Sequence, residues 1–296
     1  MTEHSQARLI SFKPQHPFFV GIDSDGCVFD TMEIKHKECF IPKTIELWDL
    51  QAISKYVRRA AEFVNLYSQW RGINRFPALT KTFDLLRDWP EPARRAVKIP
   101  EVSSLEAWIQ SGAALSNPAL EREVARTRDP VLALTLDWSN AVNQAIAEMV
   151  HGIPPFPLFR DSMEKLAGRA DMICVSQTPS EALEREWAEH DIARYVAVIA
   201  GQEMGSKTEH LRIAARGKYE PDRFLMIGDA PGDLAAARGN GALFYPITPG
   251  YEEDSWERFH AEAIDRFLGG TYAGDYQKAV IVSFEKRLPA TPPWKR

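Results

Sequence analysis

A chain of 296 residues, 45% hydrophobic and 26% charged, can bury a full core in one large domain or two. Its net charge of −5 argues against a nucleic-acid-binding surface, and no apolar run approaches the roughly 20 residues needed to cross a bilayer. Three cysteines (Cys27, Cys39 and Cys174) make no disulfide framework, and the opening MTEHSQARLISF lacks the basic region and apolar core of a secretory signal, so the expected setting is cytoplasmic and reducing.

The first predicted element is a strand opening the segment FFVGIDSDGCVFD at 18–30. The apolar run ends at Asp23, with a second carboxylate at Asp25 and then Gly26. A strand repeats every two residues, so Asp23 and Asp25 can lie on one side as the chain leaves the sheet. Gly26 permits a sharp turn and a close backbone approach to a ligand. Two carboxylates so near one another are costly to ionise together unless a cation neutralises them, and a hard, oxygen-seeking ion such as Mg²⁺ suits that role. Alone, the pair also reads as a plain turn.

After Asp30 no strand-like run recurs until about residue 172, and the stretch between reads as helices. Ile53, Tyr56, Val57, Ala60, Val64 and Tyr67 mark one amphipathic helix. Ser103 with Glu106 reads as a capping box opening a helix around 105–109. Leu134, Trp138, Val142, Ala145 and Met149 stripe another, begun near Asp129 and Pro130. The turn-rich HGIPPFP at 151–157 closes the region. Trp48, Trp70, Trp89, Trp108 and Trp138 are expected to form its core.

From there strands and helices alternate. Helix 162–167, strand 172–175, helix 180–189, strand 196–200, helix 208–216, strand 224–227, helix 234–238 and strand 242–245 form a βαβ series, which predicts a parallel sheet with helices on both faces. The chain closes with two helical pieces from Ser255 and a Pro-rich end, LPATPPWKR.

Three later segments bear on the Asp pair. MICVSQT at 172–178 ends in the hydroxyl of Ser176, GSKT at 205–208 presents Lys207, and FLMIGDAPGD at 224–233 ends in Asp229 with Asp233 four residues on. Strand–Asp-x-Asp, strand–Ser, Lys and strand–Gly-Asp-x-x-x-Asp, in that order, resemble the haloacid dehalogenase superfamily of phosphatases and phosphotransferases. The resemblance runs from residue 18 to 233. It implies a Rossmann-like α/β core, 1–30 and 155–296, and an all-helical type-1 cap at 31–154, larger than the usual four-helix cap.

The resemblance also implies roles. Asp23 would be the nucleophile and Asp25 the general acid and base. Mg²⁺ would be held by Asp23, the backbone carbonyl of Asp25 and Asp229, with Asp233 beside them. Ser176 and Lys207 would contact the phosphoryl group, with Gln177 and Thr178 at the substrate. Dehalogenases of this superfamily lack the second carboxylate, so Asp25 favours phosphate esters. Cys27 stands where the family usually has Thr, and is expected to be a small buried substitute.

The expected activity is Mg²⁺-dependent hydrolysis of a small phosphorylated metabolite, with no nucleic-acid or membrane partner. The rivals are a phosphomutase with the same chemistry and a non-catalytic protein on this fold. In the helical region, Lys35, His36, Arg71 and Arg75 are candidates to hold a second anionic group of the substrate, since Arg binds phosphate and carboxylate in a fork. For the two arginines, the competing expectation is a solvated basic loop. Each site residue has its plain rival too: Ser176 a cap, Lys207 a solvated lysine, Asp229 a helix N-cap.

Overall fold

A computed structural model describes residues 6–295. Five parallel strands form one sheet: β1 Phe18–Ile22, β2 Ala170–Val175, β3 Val198–Ala200, β4 Phe224–Gly228 and β5 Leu243–Pro246, in the order β3-β2-β1-β4-β5. The expected α/β class with a parallel sheet is what the structure has. Every residue of β2, β4 and β5 is buried, which is why β4 and β5 read as unbroken apolar runs, and β2 does so after Asp171.

The strand order decides where a ligand can sit. From β1 the chain steps outward through β2 to β3, then returns to the other side of β1 for β4 and β5. The direction therefore reverses between β1 and β4. Crevices at such a reversal, outside the carboxyl ends of the strands, are where doubly wound sheets bind ligands. The Asp23 N–H donates to the Ile227 carbonyl at 3.0 Å, continuing the β1–β4 ladder one step beyond β1.

The described residues divide into two compact units, one made of the residues up to Met32 with Gly152–Arg287, the other of Glu33–His151 with the tail from Leu288. The sheet unit has its own apolar core, from Val20 and Ile22 through Trp187, Leu225 and Trp256 to Tyr272. The helical unit has a second, which includes Trp48, Trp108 and Trp138. Its helices include Ser54–Asn65, Arg75–Arg87, Ser103–Gln110, Asn117–Thr127 and Pro130–Met149. The last is capped as expected: the Asp129 carboxylate accepts from the N–H groups of Val131 and Leu132 at 2.9 and 3.0 Å.

Three details differ from the sequence reading. Ser103 is the first helical residue, with Val102 at the cap position, so Ser103 and Glu106 form no capping box; the Ser104 hydroxyl donates to Asp129 instead. Between Thr31–Ile34 and Ile41–Leu47 the chain makes a π-helical turn, Lys35–Phe40. Pro42 follows at once, and a ring lacking an N–H disrupts regular α-helical bonding there. The Pro-rich tail, assigned to the core by its place after the sheet, instead packs in the helical unit. The Trp294 ring stacks on Trp89 at 4.1 Å and 7°, and Lys295 pairs with Asp88 at 2.9 Å. Among the described residues, no helix is long and apolar enough to cross a membrane.

Candidate active site at the carboxyl end of the sheet

Strands β1 and β4 each end in a carboxylate. Asp23 follows β1 and is 4% exposed; Asp229 follows β4 and is 1% exposed. Asp233 lies in the first turn of the helix Pro231–Asn240. One carboxylate oxygen from each of the three lies within 4.8 Å of the others. Ala230, not Asp229, occupies the N-cap position, and Asp233 supplies the capping oxygen: its Oδ2 accepts from the N–H groups of Asp229 and Ala230 at 3.1 and 3.0 Å. The N-cap role expected at Asp229 is thus filled by Ala230 and the Asp233 carboxylate.

Lys207 arrives from the other side of the sheet order. Ser206 caps the helix Lys207–Ala214 in a reciprocal box with Glu209, which sets Lys207 in the first turn. Its Nζ donates to Asp23 Oδ2 and to Asp233 Oδ1, both at 2.6 Å. Burial alone would lower the Lys207 pKa, but Asp23, Asp233 and Asp229 outweigh it and hold the ammonium protonated. For Asp23 the balance runs the other way. Burial first, then Asp233, push its carboxyl well above the usual range, and Lys207 only partly opposes them.

Three carboxylates thus face one ammonium, a local charge of −2 when all are ionised. Clustered buried carboxylates are stable in charged form only with a cation of matching charge, and hard oxygen donors select Mg²⁺ or a similar ion. The donor set fits such an ion, with Asp23, Asp229 and Asp233 as the residues to hold it.

The turn after β1 places Asp25 beside this cluster. Gly26 has a φ of 74°, in the region glycine favours, and its N–H donates to the Phe29 carbonyl at 2.8 Å. The resulting turn brings Thr31 back to Asp25, whose Oδ1 accepts from the Thr31 hydroxyl; its Oδ2 accepts from the Thr178 hydroxyl at 2.7 Å. Ser176 follows β2, is 2% exposed, and its Oγ accepts the Thr178 N–H at 3.2 Å. A hydroxyl so used keeps its own proton to donate. The exposed Gln177 side chain donates to the carbonyls of Ser176 and Gly205, linking this loop to the one that carries Lys207. Cys27 is fully buried and burial pushes its thiol well up, which suits a packing residue and not a nucleophile.

No family model and no curated protein matches the chain. Solved structures with a related course include a haloacid dehalogenase-like family hydrolase from Streptococcus pneumoniae, 14% identical over 81% of this chain and 90% of that one, TM-score 0.42. CbbY from Rhodobacter sphaeroides in complex with phosphate is 16% identical over 79% and 86%, TM-score 0.42. A HAD-superfamily hydrolase of subfamily IA from Geobacter sulfurreducens is 16% identical over 79% and 89%, TM-score 0.38.

Of the candidates in the helical unit, His36, Arg71 and Arg75 meet partners within that unit. Lys35 and His36 lie on the π-helical turn, where the His36 ring stacks on Phe40 at 4.7 Å. Arg71 is 2% exposed and donates to the Leu66 carbonyl at 3.0 Å. Arg75 opens the helix Arg75–Arg87, and its guanidinium donates to the Ser139 hydroxyl at 2.9 Å and to the Asn143 side chain at 2.7 Å, over the Phe40 ring. Burial lowers the Arg75 pKa to about 10, which still leaves it charged at neutral pH. The alternative of a solvated basic loop is therefore wrong for Arg71 and Arg75, because the turn folds inward and its arginines satisfy backbone and side-chain acceptors of the unit's interior. Thr31, whose hydroxyl reaches Asp25, is a site residue the sequence reading did not include. Its signal is faint, a threonine six residues after Asp25 at the start of a helix.

Proposed function

We propose that the chain is a Mg²⁺-dependent phosphatase of the haloacid dehalogenase type, acting on a small phosphorylated metabolite through an aspartyl-phosphate. One observation carries this reading: at the β1–β4 reversal, Lys207 bridges Asp23 and Asp233 while Asp229 completes a buried carboxylate cluster.

In this reading Asp23 attacks phosphorus through the oxygen not held by the Ser24 N–H, which donates to Oδ1 at 2.8 Å. Lys207 pins the attacking Oδ2 and offsets charge gathering on the transferring phosphoryl group. Asp25 protonates the leaving oxygen and later takes a proton from the hydrolytic water. The Ser176 hydroxyl donates to a phosphoryl oxygen. Asp233 orients Lys207 and, with Asp23 and Asp229, holds the metal. A Mg²⁺ ion held by these carboxylates would supply neutralisation of the charge on the phosphoryl group.

Phosphate release from a panel of phosphorylated metabolites and from p-nitrophenyl phosphate tests it. Release should vanish with EDTA, return with Mg²⁺, and be abolished in Asp23→Asn, whose melting curve should stay close to that of the parent. Undiminished turnover in Asp23→Asn, or full activity without any divalent ion, would end the reading.

A further inference from the structure

Resting on the phosphatase reading above, we propose that Thr178 is the positioning residue for Asp25: it holds the general acid in its working orientation instead of binding substrate. Asp25 lies just beyond a strand end, in a turn, where the Thr31 hydroxyl holds Oδ1 from its own segment and leaves Oδ2 to be fixed from elsewhere in the fold. The Thr178 hydroxyl lies 2.7 Å from Asp25 Oδ2, across 153 positions of sequence. It fixes the second oxygen from the side of β2.

The Thr178 loop is itself held on several sides. The Thr178 N–H donates to Ser176 Oγ at 3.2 Å, and the Thr178 carbonyl accepts the Gln202 N–H at 3.1 Å. Glu203 accepts from both the N–H and the hydroxyl of Ser180, at 2.9 and 2.8 Å. Gly201 makes this approach feasible. A Cβ there would sit 2.5 Å from Ser180 Oγ and 2.7 Å from the Thr178 carbonyl oxygen. Its backbone is extended, with φ −99° and ψ −176°, so space and not conformation demands glycine. The sequence thus uses one glycine at the carboxyl end of β3 to set a hydroxyl against Asp25.

The residue type fits the task. An acid that becomes a base within one cycle needs a partner that can donate to the carboxylate and accept from the carboxyl. A hydroxyl does both, whereas an ammonium or backbone amide only donates.

The test compares two phosphate monoesters, one with a good leaving group (p-nitrophenyl phosphate) and one with a poor leaving group (glycerol 3-phosphate). kcat/KM reports the steps up to formation of the phosphoenzyme, and only the poor leaving group needs a well-placed acid there. Thr178→Val should reduce kcat/KM for glycerol phosphate at least about tenfold more than for the aryl ester. Thr178→Ser, which keeps the hydroxyl, should erase most of that difference. Gly201→Ala should reproduce the Val pattern by displacing the loop, while leaving every hydroxyl in place. Equal losses on both esters would overturn the positioning role and indicate substrate binding by Thr178, and a Val variant matching the parent on both would overturn it too. A parent enzyme inert on both esters and on the metabolite panel would remove the phosphatase reading and this role with it.

Discussion

Gly228 closes β4 without a side chain, and the reason is Asp233. A Cβ on Gly228 would lie 2.5 Å from the Cβ, Cγ and Oδ2 of Asp233, nearer than atoms can approach. The same Asp233 carboxylate caps its helix with one oxygen and takes the Lys207 ammonium on the other. Gly228→Ala should therefore push Asp233 off Lys207 and lower kcat/KM on the order of 100-fold, because a displacement of about 1 Å at a reacting centre has that scale of effect. The fold should survive, as judged by far-ultraviolet circular dichroism; a variant with unchanged kinetics would show that Asp233 is not held by this contact. Residues of this kind differ in how legible they are. Asp23, Asp229 and Lys207 announce themselves, since a carboxylate at the end of an apolar run, or a lysine behind a Gly-Ser cap, is a local pattern. Thr31 does not, and Thr178, expected at the substrate, gives no sign in the sequence of its contact with Asp25. Their importance comes from which carboxylate they meet, and that meeting depends on a turn at Gly26 and a contact across 153 positions.

At the level of elements, the helix Lys207–Ala214 does two jobs at once. Its capped first turn aims Lys207 at the carboxylates, and one turn later His210 is fully buried. Burial, then the nearby Lys207 charge, push the His210 pKa down to about 4, against 6.5 for an ordinary histidine. Between those values the unfolded chain binds a proton that the folded chain excludes, so stability falls as the pH drops from about 6.5 to about 4. His210→Gln should flatten that limb. Melting temperatures of both proteins across the window check it, and parallel curves would assign the acid limb to other groups. The helices and strands themselves were largely readable, because periodicity and caps such as Asp129–Pro130 are written within a few residues. The π-helical turn at Lys35–Phe40 was not, since a single widened turn is too short to show in a periodicity, and only Pro42 hints at it.

At the scale of the whole molecule, the tail is the least expected feature. Trp294 stacks on Trp89, meets Phe63 edge-on at 5.7 Å, and lies under the Arg59 guanidinium, while the Gln69 N–H donates to the Pro289 carbonyl at 3.4 Å. A Pro-rich end signals the absence of a helix and nothing about where it docks, and its partners lie some two hundred positions earlier. Trp294→Ala removes a stacked pair on a half-buried ring and should cost the helical unit about 1–2 kcal/mol. Hydrogen exchange should quicken in Ser54–Asn65 and around Trp89, with the strands of the sheet left as they were; uniform quickening throughout would mean the tail serves the chain as a whole.

The route of the chain makes the helical unit hard to transplant. The peptide passes between the two units three times, after Met32, after His151 and after Arg287. An insertion joined at only its two ends can be exchanged for another by a single recombination of that segment. Here the exchange of residues 33–151 alone would strand an apolar tail shaped for Trp89 and Phe63, with a tryptophan and three prolines left in water. Replacement of this unit by a foreign one, in the laboratory or in the course of descent, requires two distant stretches of the chain to change together.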